Sequence, residues 1–140
     1  MINMEKINIL FKTEKYEELN KYLVMKEKEK GNSNFDNMEY NYNLGKLYSH
    51  YLFKEKSRNK AASFFKKALK YEKTNSNIYI GISNVEDDKN IVINYLNEGK
   101  LIHPKNAIII SKLSFLSDNN NDVLLRQLLE CDVSNNEEMF

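Results

Sequence analysis

The chain has 140 residues, 41% of them apolar and 29% charged, with four Gly and one Pro. That is one domain's length, too apolar for a disordered tail and too short for a parallel-sheet enzyme domain with a second lobe. Lys plus Arg number 21 against 20 Asp plus Glu, so no net field draws the chain to nucleic acid or lipid, and a single cysteine, Cys131, excludes an internal disulfide or a multi-Cys zinc site.

Glu5 stands where a secretory leader keeps a positive flank, and the longest apolar runs, such as Ile78 to Ile82, fall far short of the roughly 20 residues of a membrane helix. None of the 21 asparagines opens a glycosylation sequon. A cytoplasmic protein without a membrane anchor is expected. Lysine outnumbers arginine 19 to 2, a bias that reads as AT-rich coding, so asparagine runs such as Asn32-Ser33-Asn34 are expected to be loops rather than sites.

An apolar triplet at the helical spacing i, i+4, i+7 recurs along the chain. Its weakest copy is Leu19, Leu23, Lys26, within a degenerate helix pair over residues 2–30. Next comes a helix predicted from Met38 to Phe53, with Tyr42, Gly45, Tyr48 and Leu52 on one face, and then a loop at Lys56-Ser57-Arg58-Asn59. The triplet Ala61, Phe65, Ala68 follows and completes a pair over 38–73. A pair over 77–103 joins Asn77–Val85 to the triplet Val92, Leu96, Gly99 across Glu86-Asp87-Asp88. Beyond the helix stop His103-Pro104-Lys105-Asn106, a short pair over 107–132 joins Ala107–Leu116, through a loop at Asp118-Asn119-Asn120-Asn121, to a capping helix at about Asp122 to Cys131, which carries Leu124, Leu128 and Cys131. Residues 133–140 are expected to form a flexible tail. Ile78-Tyr79-Ile80-Gly81-Ile82 and Ile108-Ile109-Ile110 have strand-forming composition, yet neither has a hairpin partner or an alternating polar face, so both are predicted helical.

Leu44-Gly45-x-x-Tyr48 followed by Ala61-x-x-x-Phe65-x-x-Ala68-Leu69 resembles one tetratricopeptide repeat (TPR), and Tyr95 to Asn106, with Pro104 in place, resembles the end of the next. The period departs from the expected 34 or so residues: triplet starts lie 42, 31 and 32 apart, and Ser83 and Ser114 stand where the family favours glycine. The resemblance implies an all-α fold over 1–140, with antiparallel helix pairs stacked as a right-handed superhelix. It also implies that first helices line a concave groove for a partner peptide or helix. The matching positions are Tyr42, Asn43, Lys46, Ser49 and His50; then Asn77, Ile80, Gly81 and Asn84; then Ile108, Ser111, Lys112 and Phe115. Tyr42, Ile80 and Phe115 would be apolar anchors, and Asn43, Lys46, Asn84 and Lys112 polar contacts; the apolar ones equally suit packing within the fold. Some family members clamp acidic chaperone tails with Lys, Asn and Arg. Here Tyr42, Lys46 and Gly81 replace clamp residues, so no tight binding of such a tail is expected.

Chemistry-bearing constellations are sparse. His50 and His103 have no second His or Cys at metal-ligand spacing. Gly81-Ile82-Ser83-Asn84-Val85 lacks the closing glycine of a nucleophile elbow, and no phosphate-binding glycine loop occurs. Glu17-Glu18, Asp87-Asp88 and Glu137-Glu138 are adjacent and diverge on a helix rather than converging. No metal, cofactor or enzymatic activity is expected.

Charge is uneven: residues 38–75 carry nine Lys/Arg against three acids, whereas 107–140 carry two against six. A dipolar chain of this kind could self-assemble head to tail. The basic residues Lys54, Lys56, Arg58, Lys60, Lys66, Lys67, Lys70 and Lys73, with Phe64 and Tyr71 among them, could meet RNA, although a solvated helix back accounts for them and nucleic acid is not the expected partner. The leading expectation is a non-catalytic adaptor or complex subunit that grips a protein partner; an assembly module and an RNA-associated repeat are the alternatives.

Overall fold

The computed structural model describes residues 3–50, 55–116, 126, 127 and 129. The protein is all-α, and among the described residues there are seven helices and no strand. They are α1 (Met4–Lys12), α2 (Tyr16–Lys26), α3 (Asn34–His50), α4 (Glu55–Tyr71), α5 (Ser76–Val85), α6 (Lys89–Ile102) and α7 (Ala107–Leu116). The chain divides into two units, Met1–Lys73 and Thr74–Phe140.

Local capping chemistry sets most of the helix boundaries. The Asn3 side chain accepts from the Lys6 N–H at 3.2 Å and opens α1. Glu14, with φ of 56°, occupies the left-handed region and reverses the chain into α2. Acidic Glu17 and Glu18 sit in the first turn of α2 and Lys26 in its last, matching the helix dipole. The Ser33 hydroxyl accepts from the Asp36 N–H at 3.0 Å, so α3 begins at Asn34 rather than at Met38 as expected. Its expected end at Phe53 lies outside the described residues. The expected loop at Lys56 to Asn59 is helical instead. No Gly or Pro interrupts 55–71, and Lys56 to Asn59 belong to the start of a helix whose apolar stripe begins at Ala61.

In the second unit the expected boundaries hold more closely. Asn75 caps α5 by accepting from Asn77 N–H at 3.0 Å, and Asp88 caps α6 by accepting from Asn90 N–H at 2.9 Å. Asn106 accepts from Ile109 N–H at 3.1 Å at the start of α7, just after Pro104. Both isoleucine-rich runs are helical, because each presents a stripe that neighbouring helices bury. The expected loop at 118–121, capping helix and tail lie outside the described residues, apart from Arg126, Gln127 and Leu129, which are helical.

The core of the first unit gathers Ile7 and Leu10 from α1, Leu19, Tyr22 and Leu23 from α2, and Tyr40, Leu44 and Leu47 from α3. The Tyr22 hydroxyl accepts from Asn3 N–H at 3.0 Å and ties the entry of α1 to α2. Tyr40 donates its hydroxyl proton to the Leu23 carbonyl at 3.2 Å; burial, then the charge of Glu27, pushes its pKa up to about 12. Helices α3 and α4 pack along their length. They approach closely at Gly45, where an added Cβ would stand 2.6 Å from the Phe65 ring.

In the second unit α5, α6 and α7 contact one another, and Ile80, Val92, Leu96, Ile109 and Leu113 share a core. Gly99 of α6 lies against Tyr79 of α5, so close that an added Cβ would stand 2.9 Å from the ring. Tyr79 is fully buried, and that burial, with Glu98 nearby, raises its pKa to about 12. Among the described residues no helix is long and apolar enough to cross a membrane.

Candidate protein-interaction surface

The first helices of the expected pairs, α3 and α5, and α7 after them, carry every groove position expected from the sequence. On α3 these residues face the N-terminal helices. Asn43 is wholly buried, donating from Nδ2 to the Glu39 carbonyl at 2.9 Å and towards the Met4 sulfur at 3.7 Å, while its Oδ1 has no hydrogen-bond partner. Lys46 holds its ammonium 4.5 Å from the ring centre of Phe11 and 5.2 Å from that of Tyr42, two cation–π contacts. Tyr42 is half-buried, with its ring 6.0 Å from that of Phe65. His50 is exposed yet stacked on Tyr16, with ring centres 6.1 Å apart and planes within 6°, and it meets Phe11 edge-on. Ser49 donates to the Lys46 carbonyl at 2.7 Å.

Phe11 and Tyr16 are the residues that sequence reasoning missed. They belong to the degenerate opening copy over residues 2–30, where Tyr16 lies in the weak repeat segment Lys15-Tyr16-Glu17-Glu18-Leu19 but no local pattern marks an aromatic that will meet a side chain of a later helix. Met4 also belongs to this opening segment. With Glu29, Lys30, Gly31, Phe35, Asp36 and Glu39 it lines a cavity of about 290 Å3. Burial, then the neighbouring Asp36 charge, raises the Glu39 pKa above the ordinary carboxyl value.

The second unit is arranged differently. Lys112 of α7 donates to Asn84 Oδ1 of α5 at 2.7 Å, so two expected polar contacts, 28 residues apart, meet across neighbouring helices. One turn beyond Lys112, Phe115 is 90% exposed, and Ser111 is exposed beside it. Asn77 and Gly81 are half-buried, whereas Ile80 is buried among Val92, Leu96, Ile109 and Leu113. Ile108 is half-buried and packs against the same core. Neither α5 nor α7 carries an acidic residue.

Ser83, His103 and Asp88, considered for chemistry, have structural partners. Ser83 donates to the Ile80 carbonyl of its own helix at 2.6 Å, inside α5 and not at a strand-to-helix turn. His103 Nε2 lies against the Thr74 carbonyl, and Asp88 serves as a helix cap. Glu17 and Glu18 are exposed on α2. Among the described residues no group of three His, Cys, Asp or Glu side chains could hold a metal ion. Cys131 and Glu137-Glu138 lie outside the described residues. No family model matches this chain, and no curated protein matches it in sequence.

Proposed function

We propose that the protein is a non-catalytic interaction module of the TPR kind, an intracellular adaptor or complex subunit that receives a partner peptide or helix on the α5–α7 face. The observation that carries this reading is the Asn84–Lys112 hydrogen bond beside Phe115, a ring 90% exposed to water. A polar pair positioned across two helices beside a large exposed aromatic supplies an anchor and a fixed polar contact, the two elements that peptide-binding surfaces use. Asn77 and Ser111 extend the polar lining.

The TPR reading is supported by the close glycine–aromatic contacts between α3 and α4 and between α5 and α6, and by the burial of Ala61, Phe65 and Ala68. Superhelical stacking of the pairs belongs to the same proposal, as does use of the α3 face through Tyr42, Lys46 and His50. Asn43 supports the α3 face and Ile80 the α5–α7 face, since both are buried.

The test is affinity capture from native lysate with the intact protein and with Lys112→Glu/Phe115→Ser, each first shown to be equally helical by circular dichroism. A protein captured by the intact chain and lost in the variant supports the reading. Equal recovery of the same partners by both would reject the α5–α7 face.

A further inference from the structure

Lys60, Phe64, Lys67 and Tyr71 follow one another on α4 at steps of four, three and four residues. That spacing places cation, ring, cation, ring on one stripe of the helix. Ala61, Phe65, Ala68 and Leu69 are buried in the first unit, and Phe64 stands at the margin of that side, packed against the core with part of its ring exposed. Lys60, Lys67 and Lys70 are exposed, Lys66 is half-buried beside them, and Phe64 and Tyr71 each leave part of a ring accessible. Phe64 is held by stacking on Tyr48, with ring centres 5.5 Å apart, and the Lys60 ammonium lies 5.4 Å from the Tyr48 ring centre. No acidic residue occurs from Lys56 to Tyr71.

We propose that this stripe of α4 binds single-stranded nucleic acid, with the lysines meeting phosphates and the Phe64 and Tyr71 rings meeting bases. This surface is separate from the α5–α7 face, and the inference does not rest on that reading. Lysines alone would suit any polyanion. What selects a single strand is the interleaving, since flat apolar rings between cations match unpaired bases between phosphates and match neither a duplex exterior nor a run of carboxylates. A bilayer is a poorer fit, because the apolar side of α4 is already buried and no aliphatic side chain stands in the stripe. At about 1.5 Å of rise per residue, Lys60 and Lys67 stand about 10 Å apart along the axis, as do Phe64 and Tyr71. Lysine is a point charge without the planar fork of arginine, so the stripe positions a backbone and does not read base edges; little sequence preference is expected.

The experiment is fluorescence anisotropy of the full chain with a labelled oligo(U) of about 15 nucleotides, titrated between about 50 and 200 mM salt. With Lys60, Lys67 and Lys70 on phosphates, log K is expected to fall against log salt with a slope of about −2. Lys67→Gln/Lys70→Gln is expected to remove about two-thirds of that slope. Tyr71→Ala is expected to weaken binding about five-fold or more while leaving the slope unchanged. Both variants are checked for unchanged helicity. Failure to bind at the lowest salt would overturn the proposal. So would equal affinity for the oligo(U)–oligo(A) duplex, for a labelled oligo-glutamate or for anionic lipid vesicles, or a Tyr71→Ala variant that binds like the parent.

Discussion

Both units close a helix pair by setting an aromatic ring on a glycine, but from opposite sides. In the first unit the glycine, Gly45, is on the leading helix and the ring, Phe65, on the following one; in the second the ring, Tyr79, leads and Gly99 follows. Close approach is therefore a property of the pair and not of a fixed position. In the second pair the close contact is made through Gly99 of α6. The units differ again in what they leave outside. The first exposes a lysine-rich helix back and covers its α3 face with Phe11, Tyr16 and Met4. The second has a largely aliphatic core and an α5–α7 face with Lys112, Asn84 and Phe115.

The largest way to break this comparison is to remove a ring. Phe65→Ala and Tyr79→Ala each leave a cavity against a glycine that cannot fill it, and each is expected to cost about 3–5 kcal/mol of stability by denaturant unfolding. Filling the glycine instead is smaller. Gly45→Ala and Gly99→Ala place a Cβ 2.6 Å and 2.9 Å from ring atoms, so the rings must shift. Overpacking of about 1–3 kcal/mol is expected to exceed the gain of about 1 kcal/mol from replacing a helical glycine. A stabilised Gly45→Ala or Gly99→Ala protein would show that the contact is looser than described.

Alkaline pH probes both units at once. Tyr40 and Tyr79 have pKa values raised to about 12 from an ordinary value near 10, so the folded state holds their protons more tightly than the unfolded chain does. Their contribution to stability is fully present below pH 10 and is lost as pH rises from about 10 through 12. In phenolate absorbance Tyr40 and Tyr79 are expected to ionise late, and Tyr40→Phe or Tyr79→Phe each to remove one late step. Smallest is the cap at α6: Asp88→Ala frees the Asn90 and Ile91 N–H groups and is expected to lower stability by about 1 kcal/mol.

The all-α class, the loop at Glu86 to Asp88 and the stop at Pro104 were legible because capping side chains and proline act locally. The start of α4 was not, since Lys56-Ser57-Arg58-Asn59 has a loop's composition and becomes helical through the apolar stripe that follows it. On the candidate site, face matching selected both Asn84 and Lys112, which share a hydrogen bond between α7 and α5. It could not separate Asn43 and Ile80 from exposed neighbours, because periodicity gives the side of a helix but not which later or earlier helix covers it. Asn43 is covered from α1 by Met4, and Ile80 shares a core with Ile109 and Leu113 of α7.

We propose a division of labour: a protein-partner face on α5 and α7 and a single-stranded nucleic-acid face on α4. Its most direct measurement is parallel capture from native lysate with the intact chain, Lys112→Glu/Phe115→Ser, and Lys67→Gln/Lys70→Gln, followed by identification of both protein and nucleic acid. The account expects the first variant to lose protein partners and keep nucleic acid, and the second to do the reverse. Loss of both by either variant, or of neither by both, would contradict it.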